Sequence, residues 1–247
     1  MHNKETKHVL ITGCNHGLGL SLAKVFLGHN YIVFAGVYNL KEDSQIQSIK
    51  GSNNLHIIDM DVTDSKSVEK AADYVKGITD KLDILINNAG ILCPDSYDKK
   101  SISIFDKLDV DSMRDVFDVN ALGALRVTNA FSTILMQGED KLLVNISSEA
   151  GSIMDCSATD WHGYRMSKSA MNMAGALIQN EFVEHGGRVW QIHPGWMQTY
   201  MHGSRYDEAD HSPDFSAEHI YGLIQNASIQ KKDDLIFMDI LGQPLPW

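Results

Sequence analysis

Two side chains able to exchange a proton, Tyr164 and Lys168, lie four residues apart in this sequence of 247 residues. Residues with this spacing share one face of a helix, and the pattern predicts a helix over residues 164–184. An ammonium group beside a phenol stabilises the phenolate and lowers its pKa from about 10, so the tyrosine can act as an acid or base nearer neutral pH. Most such pairs only pack on a surface, so the chemical interpretation depends on neighbouring motifs.

Two hydroxyl groups, Ser147 and Ser148, follow the apolar run from Leu142 to Ile146. This run is predicted to be the fifth strand of a sheet, beside the fourth and first strands, so the hydroxyl groups should reach the same cleft as Tyr164. A serine hydroxyl can hydrogen-bond a reacting oxygen and hold it in place. Either serine could do so on this evidence.

Short apolar runs alternate with longer helical patterns along the whole chain. The runs are apolar at consecutive positions, which indicates strands covered on both faces, as in a parallel sheet. The strands are predicted at Val9 to Ile11, Tyr31 to Val37, Leu55 to Ile58, Leu82 to Ile86, Leu142 to Ile146, Val189 to Ile192 and Leu235 to Met238, and the helices at 17–28, 41–49, 64–79, 112–136, 164–184 and 215–229. We therefore predict a doubly wound α/β fold, a Rossmann-type three-layer sandwich with a seven-stranded parallel sheet, in one domain over residues 1–247.

In such a fold ligands bind where strands end, and the first strand ends in a glycine-rich loop. The loop reads Thr12-Gly13-Cys14-Asn15-His16-Gly17-Leu18-Gly19, and a helix follows. Glycines let the backbone approach a pyrophosphate, whose charge is then held by backbone amides at the helix N-terminus. The spacing differs from G-x-G-x-x-G, and a plain tight turn is the alternative interpretation.

The end of the second strand is where nucleotide-binding folds read the ribose 2′ position. Here the stretch from Ala35 to Lys41 contains no carboxylate for a 2′-hydroxyl and no arginine for a 2′-phosphate. A carboxylate in this stretch would repel the 2′-phosphate of NADP(H). The absence of a carboxylate, with Lys41 and His16 nearby, therefore favours NADP(H) over NAD(H). Lys41 is equally well explained as a solvated residue at the start of a helix.

Polar residues also follow the third and fourth strands. Asp64 or Thr63 is predicted to cap the next helix, whereas Asp61 lies in the cleft and could accept a hydrogen bond from an adenine amino group. Asn87-Asn88-Ala89-Gly90 suits a turn under a bound ribose and equally suits any turn.

Composition excludes several other classes of protein. Lys and Arg number 21 against 32 Asp and Glu, and a net charge of −11 would repel a nucleic acid backbone. No apolar run is long enough for a membrane span and the N-terminus lacks a secretory signal, so we predict a cytoplasmic protein without a membrane partner. Three widely spaced cysteines, Cys14, Cys93 and Cys156, are predicted to be reduced thiols.

Histidines in the last third of the chain raise the question of a metal site. His193, His202, His211 and His219 match no zinc-binding spacing, and we interpret them as scattered surface or loop residues. No metal site is predicted.

Taken in order, these motifs resemble the short-chain dehydrogenase/reductase family. The resemblance spans the chain and rests on the glycine loop, Asn87 to Gly90, Asn120, Ser148, Tyr164-x-x-x-Lys168 and Pro194-Gly195. Leu18-Gly19-Leu20, His193-Pro194-Gly195-Trp196 and the ending Gly242 to Trp247 are similar to the branch of Sniffer-type carbonyl reductases and C-factor.

The resemblance implies a role for each candidate residue. Tyr164 would be the general acid or base, Ser148 rather than Ser147 would bind the substrate oxygen, Lys168 would bind the ribose and lower the tyrosine pKa, and Asn120 would hold a water. The implied cofactor contacts are Gly13, Asn15, His16, Gly17, Leu18, Gly19, Tyr38, Asp61, Val62, Asn88, Ala89, Gly90, Tyr164, Lys168, Pro194, Gly195, Trp196 and Thr199.

The predicted function is an NAD(P)(H)-dependent oxidoreductase that interconverts a ketone or aldehyde and an alcohol by hydride transfer. The alternative is a non-catalytic protein that senses a dinucleotide on the same fold. A third possibility, dehydration or epimerisation, lacks an additional acid or base residue.

Two surface segments and two apolar stripes complete the predictions. Loop 195–214, with Trp196, Met197, Tyr200, Met201 and Tyr206, is predicted to be a lid over an apolar carbonyl substrate, and an insertion from Met154 to Trp161 to shape the pocket mouth. The stripes are predicted to be core, and the family implies that part of each forms a homodimer or homotetramer contact. They comprise Val116, Val119, Leu122, Leu125 and Ala130, and Ala170, Met171, Met173, Ala174 and Leu177.

Overall fold

A computed structural model describes residues 6–41, 45–93, 103–199, 201, 207–226 and 234–247. Seven strands form one parallel sheet in the order β3-β2-β1-β4-β5-β6-β7. They are β1 His8–Ile11, β2 Ile32–Val37, β3 Leu55–Asp59, β4 Ile84–Asn87, β5 Leu142–Ile146, β6 Arg188–His193 and β7 Ile236–Asp239. The predicted α/β fold with a seven-stranded parallel sheet is confirmed.

The strand order reverses between β1 and β4, so the cleft above their carboxyl ends is the switch point at which such folds bind ligands. β5 pairs with β4 and β6. It is therefore one strand removed from β1 and does not adjoin it as expected. Ser147 and Ser148 still lie at the cleft because every strand of a parallel sheet ends on the same side.

Helices cover both faces of the sheet. They are α1 Gly17–Gly28, α2 Ser65–Lys76, α3 Met113–Phe117, α4 Ala124–Leu135, α5 His162–Phe182 and α6 Pro213–Gln225, with short 3₁₀ turns at Gln45–Ile49, Glu149–Gly151 and Val183–His185. The helix predicted over 41–49 is a 3₁₀ turn from residue 45, and residues 42–44 lie outside the described ranges. The predicted helix over 112–136 is divided by a π-helix, Asp118–Gly123, between α3 and α4.

Two separate apolar cores confirm the three-layer arrangement. On one face, residues of α1 such as Phe26 and residues of α6 such as Ile220 pack on the sheet. On the other face, residues of α2 such as Val68 and residues of α4 such as Phe131 do the same. Within the described ranges, every helix is too short or too polar to cross a lipid bilayer.

The two apolar stripes are only partly core. Val116 and Met171 are buried as predicted, but Leu122, Leu125 and Met173 are exposed, and Leu177 is 64% exposed. The core prediction is wrong at these four positions because apolar spacing alone does not reveal which side of a helix meets the sheet. They lie on the outward sides of the π-helix, α4 and α5.

Candidate active site

A cavity of about 670 Å³ lies at the carboxyl ends of the strands. It extends from the ends of β2 and β3, called here the β2/β3 end, to the ends of β5 and β6 beside α5, called the β5/α5 end. Every predicted cofactor contact lines it: Gly13, Asn15, His16, Gly17, Leu18, Gly19, Tyr38, Asp61, Val62, Asn88, Ala89, Gly90, Tyr164, Lys168, Pro194, Gly195, Trp196 and Thr199. Ser148 lines the same cavity, so the glycine loop and the predicted acid–base pair share one space.

The glycine loop takes a shape that strongly favours glycine. Gly13 and Gly17 have φ of 71° and 57°, in the left-handed region. A Cβ at Gly19 would collide with the carbonyl oxygen of Gly13 and lie 2.6 Å from the Asn88 side-chain nitrogen. The first turn of α1 is thereby brought directly against the loop, with its N-terminal amides open to the cavity.

Side chains join this loop to neighbouring strand ends. Asn88 Nδ2 donates to the Thr12 carbonyl at 2.8 Å, and Thr12 Oγ1 accepts from the backbone of Asn88 and Ala89 at 3.0 Å each. Asn15 Nδ2 donates to the Tyr38 carbonyl at 2.6 Å, and the Tyr38 amide donates back to Asn15 Oδ1 at 3.0 Å. Asn15 and Asn88 therefore fix the loop to the ends of β2 and β4.

At the β2/β3 end, the residues after β3 form a tight turn. Asp61 Oδ1 accepts from the amide and hydroxyl of Thr63 at 2.8 and 2.7 Å. Asp64 caps α2 by accepting from the Lys66 amide at 2.9 Å, as predicted for this position. Lys41, predicted as a possible phosphate contact, lies outside the described cavity wall, whereas His16 lines it.

At the β5/α5 end, the two serines have different partners. Ser147 is buried, and its hydroxyl donates to Asn172 Oδ1 at 2.6 Å. Ser148 caps the 3₁₀ turn that follows β5, lines the cavity with Tyr164, and acts to lower the pKa of that phenol. Ser148 is thus the serine that acts on the tyrosine, and Ser147 is bonded to the interior of α5.

Burial governs the pKa of the tyrosine and of the lysine. It raises the Tyr164 pKa to about 12, although the hydrogen bond with Ser148 and the charge of Arg165 oppose this. Burial also lowers the Lys168 pKa to about 8. The net rise follows because the cost of burying a phenolate exceeds the help from nearby charges. The expected lowering of the Tyr164 pKa by Lys168, helped by the positive ring of an oxidised cofactor, stays a prediction.

Lys168 and Asn120 are both held by backbone groups. Lys168 Nζ donates to the Ile146 carbonyl at 2.8 Å and lies 5.6 Å from the centre of the Tyr164 ring. Asn120, in the π-helix, accepts from the Ile91 amide at 2.8 Å and donates to the Ile91 carbonyl at 2.9 Å and to Ser167 Oγ at 3.0 Å. The predicted water-holding role of Asn120 stays a prediction.

Comparison with known proteins identifies the family. A family model described as short chain dehydrogenase matches residues 7–210. The chain belongs to the short-chain dehydrogenase family. An uncharacterized oxidoreductase of Schizosaccharomyces pombe is 31% identical over 195 residues, which is 78% of this chain and 74% of that relative.

Solved structures resemble this short-chain dehydrogenase over almost its whole length. NADPH-bound carbonyl reductase from chicken fatty liver is 28% identical, with a TM-score of 0.84 and coverage of 98% of this chain and 99% of that chain. Carbonyl reductase Sniffer of D. melanogaster is 26% identical, with a TM-score of 0.87 and coverage of 98% and 100%. The protein is therefore an NAD(P)-dependent oxidoreductase similar to carbonyl reductases.

The cavity fits a nicotinamide dinucleotide. Gly17 has no Cβ to fill the open side of the loop, and one there would touch only Thr199, at 3.9 Å. A Cβ at Gly90 would lie 3.3 Å from Asn120 Oδ1 and 3.7 Å from Lys168 Nζ, so the bare backbone leaves room beside both groups. Space of this shape, next to amides and one ammonium group, suits a phosphate-linked ribose chain.

Several wall residues of this dehydrogenase are absent from the sequence predictions. Glu149, Arg165 and His193 line the cavity, and each adjoins a predicted site residue along the chain. His193 ends β6, so its interpretation as a surface or loop residue is wrong; burial lowers its pKa, and Glu149 lies 4.0 Å away. Adjacency to a motif was the available signal for all three.

The predicted lid and insertion are only partly described. Trp196, Met197 and Met201 line the cavity, while Tyr200, His202 and Tyr206 lie outside the described residues. A backbone bridge joins Met197 to His211. In the segment from Met154 to Trp161, only Trp161 reaches the wall, where its ring meets Tyr164 edge-on.

Proposed function

We propose that this dehydrogenase interconverts an apolar ketone or aldehyde and its alcohol by hydride transfer, with Tyr164 as general acid or base. The observation that supports this most is that Ser148, Tyr164 and Lys168 line one cavity with the glycine loop, with the Lys168 ammonium 5.6 Å from the centre of the Tyr164 ring. Trp196, Met197 and Met201 in the same wall favour an apolar substrate.

The chain's own residues would handle the substrate oxygen and its proton. Because its pKa lies near 12, Tyr164 keeps its proton at neutral pH and can donate it to the carbonyl oxygen as that oxygen gains charge. Ser148 would hydrogen-bond the same oxygen and hold it beside the phenol. A bound nicotinamide would supply the hydride.

Lys168 and Asn120 would assist the proton transfer from Tyr164. The ammonium of Lys168 would bind ribose hydroxyl groups and favour loss of the Tyr164 proton. The Asn120 amide would keep the segment at Ile91 and the start of α5 in place, and would hold a water that replenishes the proton. The contacts support the Lys168 role and the positioning role of Asn120, whose side-chain amide is buried behind the cavity wall and already bonded to Ile91 and Ser167.

We also propose NADP(H) as the preferred cofactor over NAD(H). No acidic side chain stands at residues 35–41, and His16 lines the cavity near Tyr38. An imidazole or amide at this position tolerates a 2′-phosphate, whereas a carboxylate would repel it. Asp61 and Val62 would flank the adenine, and Asn88 and Gly90 the adjoining ribose.

The assembly and location of the protein are further proposals. The exposed apolar side chains Leu122, Leu125, Met173 and Leu177 favour a homodimer or homotetramer that covers this face. We propose a single domain over residues 1–247 in the cytoplasm, without nucleic acid or membrane partners. Sedimentation of wild type and Leu177→Glu tests the assembly, because the charge should dissociate it.

Replacement of Tyr164 by Phe tests the catalytic proposal. The variant should bind NADPH with unchanged affinity yet lose about 10²- to 10⁴-fold in turnover of a ketone panel, the usual contribution of a general acid. Tyr74→Phe, the same change at an exposed position of α2 outside the cavity wall, is the control and should turn over normally. Normal turnover by Tyr164→Phe would contradict the proposal. Failure of wild type on every aldehyde, ketone and alcohol, despite tight cofactor binding, would favour the sensing alternative.

A further inference from the structure

Arg126 on α4 makes three contacts that meet at the β2/β3 end of the cavity, although its own side chain does not line the described wall. Its Nη1 donates to the Val62 carbonyl, its Nε to Ser65 Oγ at 3.1 Å, and its Nη2 to Asp118 Oδ1 at 3.1 Å. The side chain of Arg126 is 23% exposed and that of Asp118 is 40% exposed. A planar guanidinium with five donors can make these bonds together, and a lysine cannot.

These contacts join three separate segments. Val62 and Ser65 belong to the turn after β3 and the start of α2, Asp118 begins the π-helix, and Arg126 is 64 residues from Val62 in the chain. Val62 and Asp118 both line the cavity.

A second contact presses on Val62 from the same side. A Cβ at Gly123, the last residue of the π-helix, would lie 2.8 Å from Val62 Cγ2, so Val62 already rests against the backbone there. The hydrogen bond from Arg126 holds the Val62 carbonyl next to α4. The backbone at Gly123 limits how closely the Val62 side chain can approach. Together they determine where the Val62 side chain meets the cavity.

We propose that Arg126 is a positioning residue for the adenosine half of the cofactor. By holding Val62, it sets the wall against which an adenine ring packs, and its own bonds, to Val62, Ser65 and Asp118, do not include Tyr164, Ser148 or Lys168. The inference rests on the proposed dinucleotide function and adds a residue that never touches the cofactor. Loss of the set of hydrogen bonds that the Arg126 guanidinium makes should weaken binding of the adenosine half of the cofactor and leave the rate of the chemical step unchanged.

The test compares the affinities of adenosine 5′-monophosphate and of NADPH for wild type and for Arg126→Lys. This substitution keeps the positive charge and removes the planar guanidinium. Both dissociation constants, measured by calorimetry, should rise by the same factor of about ten, the loss expected from one hydrogen bond to a charged group. The kcat at saturating NADPH should stay within about twofold, so only the cofactor KM changes. Arg114→Lys is the control, because Arg114 pairs with Asp111 at 3.3 Å with both side chains more than 80% exposed.

A second variant guards against misfolding of the first. Ser65→Ala removes only the Nε acceptor, at an exposed position, and should raise both dissociation constants by about two- to threefold. In the double variant the effects should be less than additive, because both changes act on one network.

Unchanged affinity for adenosine 5′-monophosphate in a folded Arg126→Lys, or a loss of kcat equal to the loss of affinity, would overturn the inference. So would full additivity with Ser65→Ala. If wild type itself bound neither nucleotide, the proposed function would fail as well, and that result differs from a wild type that binds both while Arg126→Lys binds them equally well.

Discussion

At the β5/α5 end of the cavity, Lys168 and Asn120 are buried and bonded to backbone groups behind the half-buried Ser148 and Tyr164, whereas at the β2/β3 end the wall is backbone held by side chains from neighbouring segments. Lys168 and Asn120 are almost fully buried, and each is fixed by a backbone partner. Tyr38, at the opposite end, is 61% exposed, and the side chain of Asn15 fixes only its backbone. One end is thus defined by side-chain chemistry and the other by the course of the chain.

This difference explains how strongly each end of the cavity constrains the residue types found there. Moving a proton requires a phenol, a hydroxyl and an ammonium at fixed separations, so residue types at the β5/α5 end are constrained. Holding an adenosine group requires a surface and backbone amides, which many sequences provide. Substitutions at the two ends should therefore fail differently, the first in turnover and the second in affinity.

The largest expected effect separates the two serines of the β5/α5 end. Ser148→Ala should lower kcat by about 10²- to 10³-fold, because it removes the hydrogen bond to the reacting oxygen, with cofactor affinity unchanged. Ser147→Ala should keep most of its kcat and lose about 1–3 kcal/mol of unfolding free energy, because the buried Oδ1 of Asn172 loses its hydrogen-bond donor. Steady-state kinetics and urea unfolding measure both. The reverse pattern would reassign the catalytic serine.

A smaller effect is expected at the glycine loop. Gly19→Ala should weaken NADPH binding by about 10- to 100-fold, since overpacking of about 1–3 kcal/mol must displace the loop or Asn88. Gly28→Ala, at the other end of the same helix, is the matched control because a Cβ there meets nothing within 4 Å. Calorimetric titration gives both affinities. Equal affinities in the two variants would mean that close approach at Gly19 is irrelevant to binding.

The smallest effect concerns the pH dependence of stability. Burial lowers the Lys168 pKa to about 8 from its ordinary 10.5, so between these values the unfolded chain binds a proton that the folded chain lacks. The unfolding free energy of wild type should therefore rise relative to Lys168→Met from pH 8 to pH 10, by at most about 1.4 kcal/mol per unit. Urea unfolding measures it, with Lys24→Met at an exposed position of α1 as control. A difference that is flat or falls with pH would refute burial as the cause.

The strands were predicted well from the sequence, and the residues it singled out at the β5/α5 end, Ser148, Tyr164 and Lys168, do line one cavity, because both leave local signals. Buried parallel strands are continuously apolar, and Tyr164, Lys168 and Ser148 are the residue types that the chemistry demands. The predicted helix boundaries were wrong where the backbone hydrogen bonding changes type, as at the π-helix that divides the helix predicted over 112–136.

Other features depend on the folded chain and leave no local signal. Whether burial or a nearby ammonium dominates the Tyr164 pKa depends on how much solvent remains around the phenol. Arg126 on α4 donates to the carbonyl of Val62 in the turn after β3, and spacing along the chain does not indicate that contact. The exposure of Leu122 and Leu177 likewise depends on which side of each helix the sheet covers.

The central claim is that one cavity binds a phosphate-linked nicotinamide dinucleotide beside Tyr164. Calorimetric titration of NADPH and of NADH into the wild-type protein tests it most directly. We predict one site per chain for each cofactor, with NADPH bound more tightly, and with NADPH affinity about 10- to 100-fold weaker in Gly19→Ala but unchanged in Tyr164→Phe. Absence of binding by either cofactor would contradict it.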